Sequence, residues 1–219
     1  MTTFHIISLF PETIKPYLEE SIVGLAQKKG LVKIKFYNPR DYAGDKHRTV
    51  DDRSYGGGPG MVIKLEPMVK ALEVVKKKIG RQKSKIILFS ATGKQFNSKR
   101  AAALAKNYKH LVLICGRYEG VDARLIKIFK AEEISIGPYV LTGGELAAAV
   151  LVDAVSRHLK GVLGRAESLE EKRLGTGVPV YTRPEVFIHK GKKYPAPKVL
   201  ISGNHKEIER WRRGHRKSL

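Results

Sequence analysis

Apolar and polar positions fall into blocks along the chain, and the block lengths predict an alternating α/β domain. Phe4 to Phe10 is a short apolar run that reads as a strand, and Pro11 opens a helix through about Lys28, with Glu12, Leu18 and Leu25 among its residues. Val32 to Tyr37 alternates as a second strand. Glu66 to Ile79 has helical periodicity, with Lys76, Lys77 and Lys78 at the end that the helix dipole favours for cations. Three compact apolar runs follow, Lys85 to Phe89, Leu111 to Cys115 and Glu133 to Ile136, separated by an alanine-rich helix over Ser98 to Asn107 and another over Val121 to Phe129. Strands alternating with helices predict a mostly parallel sheet. Ligands of such sheets gather beyond the carboxyl ends of the strands, here Ser90 to Gly93, Gly116 to Gly120 and Gly137 to Gly144. Glu145 to Leu159 reads as a buried helix on which Asp153 and Arg157 are spaced to meet.

The stretch His47 to Met61, HRTVDDRSYGGGPGM, breaks this regularity. Three consecutive glycines would weaken any helix or strand by about 0.5–1 kcal/mol each, so Gly56, Gly57, Gly58 and Gly60 belong to an irregular loop. Arg48, Asp51, Asp52 and Arg53 beside them mark that loop as more than a solvated turn. From Gly161 to about Pro179 periodicity fades amid charges and glycines. The expected organisation is a main domain over 1–162, a linker over 163–179 and a small basic C-terminal domain over 180–219.

Composition narrows the partners. At 219 residues with 42% hydrophobic content the chain can bury a proper core. It has no apolar run of membrane-spanning length and no signal-peptide start, so a cytoplasmic location is expected. One cysteine, Cys115, excludes an internal disulfide, and the seven histidines are too scattered to suggest a built-in transition-metal site. The formal charge of +21 points to a polyanion, because basic surfaces bind phosphate backbones through counterion release. His189 to Leu219 alone holds ten Lys or Arg against Glu207 and Glu209, with Tyr194 and Trp211 among them, a mixture suited to RNA. GxGxxG, the phosphate-loop pattern and GxSxG are all missing, which leaves binding by glycine-rich backbone at the strand ends; an adenine-containing cofactor suits that geometry.

Taken together, CGRYEG (Cys115 to Gly120), SIGPYVLTGGE (Ser135 to Glu145), RTVDDRSYGGGPGM (Arg48 to Met61) and YTRPEV (Tyr181 to Val186) closely resemble the bacterial tRNA (guanine-N1)-methyltransferases, the TrmD family. The resemblance covers nearly the whole chain, including the opening ISLFPE and the late SGNHKEIERWR. It implies a SPOUT-class enzyme: an α/β domain with a mostly parallel sheet tied in a deep trefoil knot, a small basic helical C-terminal domain, and a homodimer with the active site between subunits. It also implies S-adenosylmethionine as methyl donor and tRNA as substrate, the target being N1 of the guanine just 3′ of the anticodon. By position, the cofactor loops fall on Ser90, Gly116, Tyr118, Glu119 and Gly120, and on Ser135, Ile136, Gly137, Pro138, Tyr139, Val140, Leu141, Gly143 and Gly144. His47, Arg48, Asp51, Asp52 and Gly60, with Arg183 of YTRPEV, match substrate-contacting positions. Arg157 matches an arginine that stabilises charge on the guanine O6, and Glu119 an acid near the cofactor and a magnesium ion that assists the reaction; a plain helix pair with Asp153 is the other reading of Arg157.

The match fails at the proton acceptor. The family's proton acceptor is an aspartate after a Glu-Glu pair, whereas Glu170 and Glu171 are here followed by Lys172. A protonated lysine cannot accept a proton, although burial can turn a lysine into a base, so Glu171 is expected to take the role, with Glu170 as second candidate; a solvated helix cap is the other reading of either glutamate. Pro138 stands where relatives often carry an acid, and Ala147 where a proline is usual. Longer relatives also continue with more helix beyond the match to Trp211, and the run Arg210 to Lys217 is expected to compensate by contacting phosphates. Two other functions stay open from the residues: a SPOUT enzyme acting on another RNA position, and a non-catalytic RNA-binding relative, for which Lys172 speaks.

Overall fold

The structure, a computed structural model, describes residues 1–164 and 177–215. The positions Glu170, Glu171, Lys172, Arg216 and Lys217 therefore lie outside the described residues. The chain divides into two compact units, Met1–Leu163 and Gly164–Leu219.

The first unit is built on five strands in the order β2-β1-β6-β5-β7: β1 (Thr2–Ile7), β2 (Val32–Tyr37), β5 (Ser84–Gln95), β6 (His110–Ile114) and β7 (Glu132–Ser135). Every pairing is parallel, as the alternation predicts. Both faces are covered, which is why β1 and β6 read as nearly continuous apolar runs. On one face Phe4, Ile6, Leu111, Leu113 and Ile87 pack with residues of α1 (Lys15–Glu19), α2 (Ser21–Lys28), α4 (Ser98–Asn107) and α6 (Glu145–Ser156). On the other, Ile7, Val112, Ile114 and Leu88 pack with α3 (Leu65–Ile79) and α5 (Arg124–Phe129).

Three elements of the first unit differ in extent from the reading of the sequence. The single helix expected over Pro11 to Lys28 is a 3-10 turn (Pro11–Thr13) followed by α1 and α2. The break falls at Glu20, which is extended, and at Ser21, with φ of 52°. Gly24 lets α2 begin there, because a Cβ at that position would collide with the Glu19 carbonyl oxygen. The first strand stops at Ile7 rather than Phe10, since the Ser8 hydroxyl turns the chain by accepting from the Phe10 amide at 2.9 Å.

β5 runs on to Gln95, through the segment Ser90 to Gly93, expected to lie beyond the strand's carboxyl end. Phe89 and Lys94 both face Ile134, so Ser90 to Gly93 are looped out of the ladder. Gly93 permits this, because any Cβ there would lie 2.6 Å from the Ile134 amide nitrogen.

The glycine loop is irregular, as its composition requires. It leaves β3 (Asp51–Asp52) and returns in β4 (Val62–Ile63), an antiparallel pair, and Gly56, Gly57, Gly58 and Gly60 all have positive φ between 79° and 105°.

The second unit contains an antiparallel hairpin, β8 (Val186–His189) with β9 (Lys192–Pro195), and two short helices, α7 (Lys198–Ile201) and α8 (His205–Gly214). The hairpin was not foreseen. Its two-residue turn, Lys190 and Gly191, has φ of 47° and 75°, the primed geometry that matches strand twist. Asn204 caps α8 by accepting from the Glu207 amide, and Trp211 stacks on His215 with ring centroids 4.0 Å apart.

Candidate functional site

A cavity of about 380 Å³ opens where β6 and β7 end and β5 bulges. Three loops wall it. Ser90 and Ala91 come from the bulge of β5, Gly116 to Val121 from the turn after β6, and Ser135 to Gly144, apart from Pro138, from the segment between β7 and α6. The expected cofactor positions Ser90, Gly116, Tyr118, Glu119, Gly120, Ser135, Ile136, Gly137, Tyr139, Val140, Leu141, Gly143 and Gly144 thus share one cavity. Pro138 lies between two lining residues without lining it.

Backbone contacts lock the loops together. Gly144 donates to the Gly116 carbonyl at 2.9 Å, and Arg117 and Gly143 form a short antiparallel bridge. A Cβ on Gly144 would sit 2.7 Å from the Cys115 Cα, so only glycine lets the two segments approach this closely. Gly137 makes room for the Tyr139 ring in the same way. The Ser135 hydroxyl donates to the Gly137 carbonyl at 2.9 Å and holds that turn closed.

Beneath the cavity floor lies a buried ion pair that the sequence reading missed. Glu145, 2% exposed at the first turn of α6, faces Arg117 Nε at 3.0 Å and accepts from the Ser8 hydroxyl at 2.7 Å. The helix N-terminus favours the carboxylate as well. Glu145 and burial together push the neighbouring Cys115 thiol well up, with burial the larger cause, so Cys115 is an inert packing residue. The GRYEG and GGE motifs held both partners of the pair in view, but nothing local in the sequence joins positions 28 apart.

The glycine loop is tied to the same rim. Glu119 donates its amide to Met61 at 3.0 Å, Ile63 donates to Gly120 at 2.9 Å, and Asp122 donates to Ile63 at 3.2 Å. Gly60 sits so close to Glu119 that a Cβ would be 2.7 Å from its Cγ. Asp51 and Asp52 are held by pairing with Ile63 and Val62, and the Asp52 carboxylate lies 3.8 Å from Lys64. Arg48, with φ of 55°, pairs with Asp41 at 3.6 Å, and His47 is exposed beside it. The structure therefore places Asp51 and Asp52 on a strand pair fastened to the cavity wall, with Gly60 in the loop that joins its two strands.

Arg157 is placed elsewhere. It caps the C-terminal end of α6, whereas Gly144 and Ala147 at the other end line the cavity. The twelve residues of α6 between Gly144 and Arg157 hold the two ends roughly 20 Å apart. The Asp153 carboxylate accepts from the Tyr17 hydroxyl at 2.5 Å, which raises the Tyr17 pKa. Arg183 is exposed in the second unit. Glu171 is outside the described residues.

The cavity's chemistry suits a small polar molecule with an apolar part. Leu88, Val121, Ile126, Ile134 and Ala147 give apolar walls, while Glu119 and Glu133 are its two carboxylates. Its volume is that of an ordinary small-ligand site. Among the described residues no group of three His, Cys, Asp or Glu could hold a metal ion.

Comparison with known proteins agrees with this geometry. A tRNA (guanine-1)-methyltransferase family model matches residues 2–218. A protein of Dictyoglomus turgidum named tRNA (guanine-N(1)-)-methyltransferase is 52% identical over 97% of this chain and 84% of its own length. Proteins of the same name from Vibrio vulnificus and Pasteurella multocida are 49% and 47% identical, each over 94% of this chain and 82% and 83% of their own. With loops, cavity and near-complete coverage in agreement, the chain belongs to the tRNA (guanine-1)-methyltransferase family, TrmD.

Proposed function

We propose that the protein transfers a methyl group from S-adenosylmethionine to N1 of the guanine immediately 3′ of the anticodon in tRNA, working as a cytoplasmic homodimer. The observation that carries this reading is the cavity walled by Ser90, Gly116 to Gly120 and Ser135 to Gly144, with the glycine loop hydrogen-bonded to its rim. The close passage of Gly144 over Cys115 supports the deep knot that the family resemblance implies.

When bound, the cofactor supplies an electrophilic methyl on a sulfonium. The chain's part is positioning. Gly116 leaves space against the backbone, Gly137 and Gly144 let the loops close on one another, the apolar wall takes the flat portion, and Glu119 or Glu133 offers a carboxylate to the cationic end. Asp51 and Asp52 can accept from guanine N1 and N2 donors, and orientation of this kind contributes several kcal/mol. Among the described residues magnesium finds no ready-made cage, so any such ion would be held chiefly by bound ligands beside Glu119.

Arg157 completes the site from a second copy. Its own cavity is a helix length away, and α6 carries exposed Leu146 and Val150 one turn apart, near exposed Tyr17, Ile22 and Leu25. Covering that apolar face with another subunit would bring a guanidinium toward the neighbour's cavity, where it stabilises negative charge developing on O6. Glu171 is the proposed proton acceptor, and Arg183 with the basic second unit holds the RNA; Arg210 to Lys217 contributes phosphate contacts there.

Incubation with labelled S-adenosylmethionine and tRNA transcripts that differ only at the guanine 3′ of the anticodon tests the reading. Label on N1 of that guanine is expected. Label on a ribose oxygen, or no transfer at all, would overturn it.

A further inference from the structure

The edge of the sheet opposite the cavity accumulates positive charge that methyl transfer does not use. β1, β2, β5 and β6 are parallel, so their N-terminal ends emerge along one edge, roughly 20 Å from the cavity by strand length. Three segments lead into β2, β5 and β6: 28–35, 76–85 and 105–110. They hold twelve Lys or Arg and no Asp or Glu.

The local geometry brings part of this charge into one cluster. A hydrogen-bonded row crosses the sheet, from the Tyr37 hydroxyl to His5 Nδ1 at 3.1 Å, from His5 Nε2 to His110 Nδ1 at 3.1 Å, and from His110 Nε2 to Gln82 at 3.1 Å. Lys35 stands opposite His5 in the strand register, and Lys33 follows on the same face. Lys78 lies 5.0 Å above the Tyr37 ring and Lys83 5.5 Å above Tyr108. Lys109 hydrogen-bonds its backbone to Lys83. Among the described residues Lys33, Lys35, Lys78, Arg81, Lys83 and Lys109 have no ion-pair partner, whereas Lys85 and Lys70 nearby do. Like charges gathered without carboxylates oppose folding, so the fold itself gives no reason for them.

We propose that this edge is a second RNA-docking surface, which takes the phosphate backbone of a duplex RNA segment other than the anticodon arm presented to the cavity. Lysines are point charges that grip phosphates without reading bases. The two nearby tyrosine rings are covered by lysine, which leaves no stacking platform for single strands. None of the three segments exposes a large hydrophobic residue, as insertion into a lipid surface would need.

Fluorescence anisotropy with a labelled RNA duplex lacking any anticodon loop tests the surface without cofactor or acceptor guanine, so it stands apart from the methyl-transfer reading. The triple variant Lys78→Ala/Lys83→Ala/Lys109→Ala is expected to bind the duplex roughly tenfold more weakly, with a salt dependence shallower by about two to three counterions. Its turnover on a short anticodon stem-loop should stay within about twofold of the parent, and Lys78→Arg/Lys83→Arg/Lys109→Arg should keep duplex affinity. Unchanged duplex binding in the alanine variant, equal loss in the arginine variant, or tighter binding to phosphatidylserine vesicles or polyglutamate than to RNA would each overturn the proposal.

Discussion

Arg117 reaches the buried Glu145 carboxylate at 3.0 Å, and this single pair ties the turn after β6 to the start of α6. Both segments line the cavity, so the pair sets the shape of the proposed cofactor site from below. Ser8, at the end of β1, is the third member.

Removing one partner is therefore expected to cost more than a surface ion pair would. Arg117→Ala leaves a carboxylate only 3% exposed at its side chain without its cation, and a loss of about 3 kcal/mol is expected. Glu145→Gln keeps the Ser8 contact and should cost less. Urea denaturation of both variants, with calorimetric titration of S-adenosylmethionine, checks the order; equal stability of Arg117→Ala and the parent would sink it.

The glycines of the cavity are not equivalent. Gly144 has an ordinary φ of −81°, so the objection to a side chain there is the backbone of Cys115 at 2.7 Å. Gly144→Ala is expected to lose about 2 kcal/mol by overpacking, a fall of roughly 4–8 °C in melting temperature. At Gly116 the added carbon would meet Val121 Cγ2 at 3.6 Å, an ordinary contact. Gly116→Ala should keep its melting temperature, and matched melting curves distinguish the two cases.

His5 makes stability depend on pH. Burial, then the neighbouring charges of His110, Lys35 and Lys78, hold its pKa down at about 4 from the ordinary 6.5. The folded protein thus takes up the proton less readily than the unfolded chain. Stability is complete above pH 6.5 and declines as pH falls toward 4, by at most about 3 kcal/mol from this group. His110, lowered first by burial and then by Lys35 and Lys109, adds in the same direction. Denaturation midpoints between pH 4 and 7 should show the decline, and His5→Gln should flatten it.

Catalysis distinguishes the candidate proton acceptors. Glu171→Gln is expected to lower methyl transfer by two orders of magnitude or so, Glu170→Gln to have a small effect, and Lys172→Ala to leave the rate near that of the parent. Single-turnover rates with saturating tRNA report the step itself. Full activity in both glutamine variants would remove the assignment.

Much of the frame was legible beforehand for simple reasons. Apolar and alternating runs bounded by turn residues placed β2, β6 and β7 to within a residue, and α4 over Ser98–Asn107 as it stands, because side chains that reach the core recur with the period of the element that carries them. Parallel pairing followed from the alternation, and with it the end of the sheet where ligands collect. The glycine loop announced its irregularity through Gly56, Gly57 and Gly58.

The rest depended on contacts between distant segments. Whether Ser90 to Gly93 is a turn or a bulge is decided by Ile134, which pairs with β5 on both sides of it. The break at Glu20 depends on where the end of α1 meets Gly24, and the hairpin at Lys190 and Gly191 on strands too exposed to show an apolar pattern. Arg117 and Glu145 meet only because the segment after β7 passes over Cys115. Sequence alone determined most of the strands and helices of the first unit, since local burial governs those; tertiary structure decided where they break, which loops touch, and that Arg157 stands at the far end of α6, because a rigid helix carries its two ends apart whatever motif it bears.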